Sequence, residues 1–147
     1  MTDTLHLIAH VGGCGVMFNT DRVASVVELD RAVPAPGAGP AVIGLAAMRS
    51  RVATVLDVRQ LLGVPPRPVG DGAIGHAVAT MVDGHLYAIA VDMLEDVEAV
   101  EIAPRPPGMG GASDAAWDFV SGVAERGQET LLALDIDRLV ARAGAIE

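Results

Sequence analysis

The sequence predicts a mainly β protein made of two small barrel lobes of like construction, with short helices and a closing C-terminal helix. Three observations predict it. One stretch of the chain occurs twice, turn signals fall at even spacing between short β-rich runs, and few segments carry helical periodicity. The repeated stretch runs from Val42 to Leu62. Two apolar runs flank the polar triplet Arg49-Ser50-Arg51, the natural place for a turn. Asp57 ends the second run, and Val58, Leu61 and Leu62 then share one helical face. In the second copy Gly122-Val123-Ala124 repeats Gly44-Leu45-Ala46, and Asp135 follows Gly122 by thirteen residues, as Asp57 follows Gly44. Ile136, Leu139 and Val140 repeat Val58, Leu61 and Leu62. Upstream, Val11, Gly13, Asp21 and Val23 match Val82, Gly84, Asp92 and Leu94 at one constant offset. Residues 1–147 therefore read as a single domain of two halves, about 5–64 and 74–142, with exchange of strands between them left open.

The elements follow in order. Leu5–His10 is a strand, Val11–Gly15 a glycine turn and Val16–Phe18 the returning strand. Asn19 or Thr20 can cap a short helix over residues 21–27, in which Val23, Val26 and Val27 share a face. Glu28–Val33 is a further strand, and the Pro- and Gly-rich residues 34–40 are a loop. The central hairpin ends at Asp57, whose carboxylate can accept from the free N–H groups of the helix that starts at Val58. Gly63 stops that helix, Pro65 and Pro66 prevent its restart, and residues 65–72 join the halves. Gly75–Met81 and Leu86–Val91 are strands around an Asp83-Gly84 turn. Asp92–Glu95 is a helical turn at most, Val97–Ile102 a strand, and Ala103–Asp114 a loop. Val120–Glu125 and Glu129–Leu134 repeat the hairpin, turning at Arg126-Gly127, before the closing helix Ile136–Ala143, capped by Asp135.

Bulk properties exclude whole classes of function. Half the residues are hydrophobic (51%) but only 3% are aromatic, so the core is built of Val, Leu, Ile, Ala and Met. Net charge is −9 and all ten basic residues are Arg, an acidity unsuited to nucleic acid or to anionic lipid. The lone Cys14 excludes an intramolecular disulfide and fits a reducing compartment. No run approaches a membrane span and no charged-then-apolar leader opens the chain, so no direct membrane insertion is expected.

Catalytic and ligand-binding patterns are weak. His6 and His10 share a strand face about 13 Å apart, too far to grip one ion, and Cys14 lies on a turn, so no metal is expected. They read as surface or rim histidines. Asp57 and Asp135 occupy equivalent places, but no Asp-Thr-Gly or Asp-Ser-Gly motif accompanies either, and capping accounts for both. The acidic run Asp92, Glu95, Asp96, Glu98 and Glu101 reads as a solvated face, with a docking surface for a basic partner as the functional alternative. Pro106–Gly111 is glycine-rich but lacks Gly-Lys-Ser/Thr, so no nucleotide cofactor is expected. No histidine lies near Ser25, Ser50, Ser113 or Ser121 in sequence, which argues against a catalytic triad.

The run Gly44–Val58 resembles the hallmark of the CheW-like family, the adaptor proteins of bacterial chemotaxis. Asp21-Arg22-Val23, Ala90-Val91-Asp92, Phe119–Val123 and Leu134–Leu139 match further landmarks in order, so the resemblance covers nearly the whole chain. It implies two five-stranded SH3-like β-barrel lobes packed on a shared apolar seam, and no catalysis. It implies two partners: the CheW-like regulatory domain of a chemotaxis histidine kinase, and the cytoplasmic helical tip of a methyl-accepting chemoreceptor. A cytoplasmic location, with recruitment to membrane-associated receptor arrays, follows from the same resemblance. So do the partner-binding positions, Val23, Val26, Gly44, Arg49, Ser50 and Arg51, with Asp57 and Asp135 as structural caps. For Val23 and Val26 the plainer reading is core packing, and for Gly44 it is close backbone approach. The seam is the expected receptor groove, since an apolar groove accepts a helix. The chain departs from the family at Ala47, Ser50 and Thr54, where Asn, Gly and Pro are usual. It also has Ser25 where a Glu commonly pairs with the motif Arg, which leaves Arg49 either to meet a partner's carboxylate or to be merely solvated. A CheW-like module used as a stand-alone ligand- or protein-binding or antagonist domain outside flagellar chemotaxis is the alternative function.

Overall fold

The computed structural model describes residues 4–34, 39, 41–64, 73–106 and 117–144. In chain order the elements are β1 (Thr4–Val11), β2 (Cys14–Asn19), a 3-10 turn (Thr20–Arg22), β3 (Ser25–Arg31), β4 (Val42–Met48), β5 (Arg51–Asp57) and α1 (Val58–Leu62). There follow β6 (Ala73–Val82), β7 (His85–Ala90), β8 (Met93–Val100), β9 (Ala103–Pro104), β10 (Val120–Arg126), β11 (Glu129–Leu134) and α2 (Ile136–Arg142). The expected joining segment 65–72 and most of the loop after Pro104 lie outside the described residues.

The strands form two sheets, ordered β8-β1-β2-β11-β10-β9 and β3-β6-β7-β5-β4. One bent stretch of chain closes each sheet. Residues 93–104 supply both β8 and β9, at opposite ends of the first sheet. In the second, β3 lies at one end, and Val33 just beyond it bridges Leu45 of β4 at the other. That bridge carries hydrogen bonds both ways, Val33 N–H to Leu45 O at 2.7 Å and Leu45 N–H to Val33 O at 2.8 Å. The result is a terminal barrel (β1, β2, β8–β11) and a central barrel (β3–β7), both SH3-like.

This topology corrects the expected lobe boundaries. Neither 5–64 nor 74–142 forms a barrel by itself. The terminal barrel takes β1–β2 from the first half, and the central barrel takes β6–β7 from the second. The exchange is made through parallel pairs, β5 with β7 and β11 with β2. Short hairpin connections cannot make parallel pairs, and hydrophobic periodicity says nothing of which strand a partner comes from.

The internal repeat extends to the backbone at the bulges and caps. The register shifts between Val42 and Gly44 in β4 and between Val120 and Gly122 in β10. Asp57 N–H donates to Ala41 O and Asp135 N–H to Phe119 O, each at 2.7 Å. The Asp57 carboxylate accepts from Arg59 N–H at 3.0 Å and the Asp135 carboxylate from Arg138 N–H at 3.1 Å. Gly63 ends α1 in the left-handed region, φ 77°.

Two local expectations fail. No helix spans 21–27: a 3-10 turn capped by Asn19 ends at Arg22, and Ser25–Arg31 is strand β3, paired with β6. Val23, Val26 and Val27 have helical spacing, but β-branched side chains suit a pleated surface better and the barrel supplies the partner strand. Likewise Glu95 lies in strand β8, not in a helical turn.

The buried side chains sort into three clusters. Leu29, Ala46, Ala53, Val55, Ile74, Ala77, Ala88 and Ala90 fill the central barrel, and Ile8, Met17, Ala124, Leu131 and Ala133 the terminal one. Alternate residues of the same strands, including Leu7, Phe18, Leu56, Val78, Ile89 and Leu132, join Phe119 and the helical Val58, Leu139 and Val140 in the seam between barrels. Strands buried on both faces need apolar residues on both, which is how a chain with so few aromatics accommodates its hydrophobic content.

Candidate functional site

The β4–β5 hairpin turns on Arg49 and Ser50, with Arg51 opposite Met48 as the first residue of β5. The turn needs a residue at positive φ, and Arg49 takes it at 59°, where the second hairpin has Gly127 at 63°. That hairpin turns on Gly127-Gln128, one residue later than expected. Arg49, Ser50 and Arg51 are all exposed. Arg51 donates weakly to Gly84 O at 3.4 Å, whereas Arg49 has no hydrogen bond or ion pair among the described residues. Beside them Val33, Leu45, Ala47 and Val52 form an exposed apolar face: Val33 bridges Leu45, and Ala47 faces Val52 across the hairpin. Val52 and Val33 are 62% and 68% exposed. A contiguous apolar face next to an uncommitted guanidinium suits protein contact.

The other partner-binding candidates are scattered. Val23 is half-buried against the seam, and Val26 lies exposed on β3 opposite Val78. Gly44 is buried; a Cβ there would fall on the Val33 carbonyl oxygen, so its bareness lets the closing strand approach. Gly122 does the same for Ala103 O, 2.6 Å from a Cβ built on it. Sequence reasoning missed Val33, Leu45 and Val52, and also Leu5, Met93 and Val97, which are exposed on the terminal barrel. Val97 faces Leu7 as Val26 faces Val78, so the repeat offset alone could have paired Val97 with Val26.

The acidic run is more than a solvated face. Arg126 on β10 pairs with Glu95 and Glu98 of β8 and with Glu129 of β11. His10 lies between Glu129, at 2.9 Å from Nε2, and Glu95, at 3.5 Å from Nδ1. The hydrogen bond from Arg126 holds Glu95 below the usual carboxylate range; that from His10, followed by Arg126, does so for Glu129. The same contacts, led by Glu95, raise the Arg126 guanidinium.

Two further ion pairs hold the crossovers between barrels. Arg22, on the turn between β2 and β3, makes a bidentate pair with Asp137 at 2.9 and 3.0 Å and donates to Met81 O at 3.3 Å. Asp92, between β7 and β8, accepts from Arg59 and from Gly12 N–H. Asp137 and Arg59 each stand two residues after a capping Asp, so equivalent helix positions anchor the two crossovers with opposite charges. The hydrogen bond from Arg22 lowers Asp137, and Asp137 raises Arg22.

The seam is a packed core and not the open groove expected of it. Its described edge leaves a cleft of about 350 Å³ beside Gly13, Cys14, Trp117 and Leu132. His6 is buried, not a rim residue: Leu7, Ala9 and Val11 face the seam, so His6 shares the opposite face with Ile8, which lies in the terminal barrel. Among the described residues no group of three or more His, Cys, Asp or Glu is placed to hold a metal ion, and no helix is long and apolar enough to cross a membrane.

Comparison with known proteins agrees with this architecture. The family model for the CheW-like domain matches residues 6–144. Among solved structures, the scaffolding protein TtCheW from Thermoanaerobacter tengcongensis superposes with a TM-score of 0.74 at 17% identity, over 90% of this chain and 88% of that one. A search of curated proteins gives no match.

Proposed function

This chain belongs to the CheW-like domain family, and on that premise we propose that it is a non-enzymatic coupling protein joining a chemoreceptor to a histidine kinase. The match over residues 6–144, which spans both barrels and their seam, is the observation that carries the reading. Coupling requires two partners held at once and a free-energy link between their sites, not chemistry.

The kinase's CheW-like regulatory domain is assigned to the β4–β5 face, with Arg49 reaching a partner carboxylate and Leu45, Val52 and Val33 shedding water around it. Ser50 and Arg51 border that contact and Gly44 acts through packing behind it, while Val26, on β3, and Val23, against the seam, lie apart from it. The receptor's helical tip is assigned to the cleft at the seam's edge, where Trp117 offers an aromatic anchor. Both partners place the protein in the cytoplasm, recruited to receptor arrays at the membrane. The test is a pull-down and titration with the kinase regulatory domain and with a receptor-tip fragment. Binding of both, separately and together, is expected; binding of neither would refute the reading.

A further inference from the structure

We propose that the terminal barrel holds a binding pocket for a small organic cation, with His6, Asn19 and Ser121 as its recognition groups. A cleft of about 340 Å³ lies at the end of this barrel, bordered by these three residues and by Arg22, Asp135 and Asp137. That is within the range of small-ligand sites. His6 is only 6% exposed, and its Nδ1 lies 3.0 Å from the Thr4 carbonyl oxygen. A carbonyl only accepts, so Nδ1 carries the proton and Nε2 of the neutral ring is an acceptor. Nε2 has no partner among the described residues. Nε2 is open to the cleft and is not among the fully buried unpaired atoms, so a donor on a ligand can take the place of water there.

The repeat supplies an internal control. His6 faces Asn19 across β1–β2, and the equivalent pair across β6–β7 is Ala77 and Ala90, both buried in the central barrel's core. Ser121 stands at the register shift of β10, where β4 has Ile43 packed against that core. Three positions that are apolar and filled in one barrel are polar and border a cleft in the other. The fold does not require polar groups there.

The free capacity of these groups selects the ligand. Ser121 Oγ donates to Ala133 O at 3.3 Å, which leaves its lone pairs. Asp135 uses one oxygen on Arg138 N–H, and Arg22, the one Arg among the described residues bordering the cleft, is committed to Asp137. Asn19 Oδ1 already accepts one hydrogen bond, from Asp21 N–H. The open acceptors are its second lone pair, His6 Nε2, Ser121 Oγ and the other Asp135 oxygen, and with the net negative charge these fit a protonated amine better than an anion.

The experiment is nuclear magnetic resonance of 15N-labelled protein titrated with putrescine, with glycerol and acetate as the neutral and anionic comparisons. Saturable shifts of the His6 ring, the Asn19 amide and Ser121 are expected with putrescine alone. Ser121→Ile and His6→Ala, each installing the residue type of the central barrel, should weaken the response about tenfold or more while the protein still unfolds cooperatively. No saturable shift, an equal response to glycerol or acetate, or an unchanged response in the folded Ser121→Ile variant would overturn the proposal.

Discussion

Replacing Gly44 by Ala places a methyl on the Val33 carbonyl oxygen. Both parties are backbone-anchored, so no rotamer change relieves the clash, and one strand must move. The hydrogen bonds at risk are the two that Val33 and Leu45 exchange, 2.7 and 2.8 Å long. At about 0.5–1.5 kcal/mol each, their loss costs about 1–3 kcal/mol. Restricting the unfolded chain by a Gly→Ala change returns about 0.4–1 kcal/mol. The clash is the larger effect, and a net destabilisation of about 1–2 kcal/mol is expected. Gly122→Ala should cost somewhat less, because part of its clash is with the movable Ile102 side chain. Urea unfolding followed by the fluorescence of the lone Trp117 measures both. A Gly44→Ala protein as stable as wild type would refute closure of the central barrel through Val33.

Three other outcomes follow from the same contacts. Asp57→Ala and Asp135→Ala should each lower stability by about 0.5–2 kcal/mol in urea titrations, with partner binding retained by the folded variants. Glu95, Glu129 and Asp137 all titrate below their ordinary values in the folded state, so their stabilisation is present above the unfolded carboxylate range. It is lost as pH falls through the folded values, so urea midpoints should hold steady from neutral pH to about 5 and then drop; Arg126→Ala should shrink that drop. A double-mutant cycle on Arg22 and Asp137 should give a coupling of no more than about 1 kcal/mol, as for other partly exposed pairs.

The fold was legible where the signal was local. The repeated spacing of Gly44, Asp57 and Leu61 gave the hairpins, the caps and both helices, since turn and cap chemistry resides in adjacent residues. Strand exchange was not legible, because the parallel pairing of β5 with β7 has no local mark. Val23, Val26 and Val27 misled because three residues at helical spacing fit a helix and a strand alike, and partner availability decided. At the candidate site, the exposed Arg49 turn was readable from its polar triplet. The apolar face of Val33, Leu45 and Val52 was not, since outward apolar residues on a strand look like core until the barrel's inner face is known. His6 shares its strand face with Ile8, and only the closed sheet decides that this face lies inside a barrel; the partners of the acidic run, Arg126 and His10, come from distant strands.

The central claim is that the Arg49 turn and its apolar surround bind a partner while the rest of the chain supports them. The most direct measurement titrates the kinase regulatory domain and a receptor-tip fragment against wild type, Arg49→Ala and Arg49→Gly, with a melting curve for each. Glycine suits the positive φ at this position, so Arg49→Gly should melt at or above the wild-type temperature. Both variants should lose about 2–5 kcal/mol of binding to the kinase domain if Leu45 and Val52 seal the contact from water, and little to the receptor fragment. Unchanged binding to both partners would reduce Arg49 to a solvated turn residue, and a collapse in the stability of Arg49→Gly would mean that it holds the fold and not the complex.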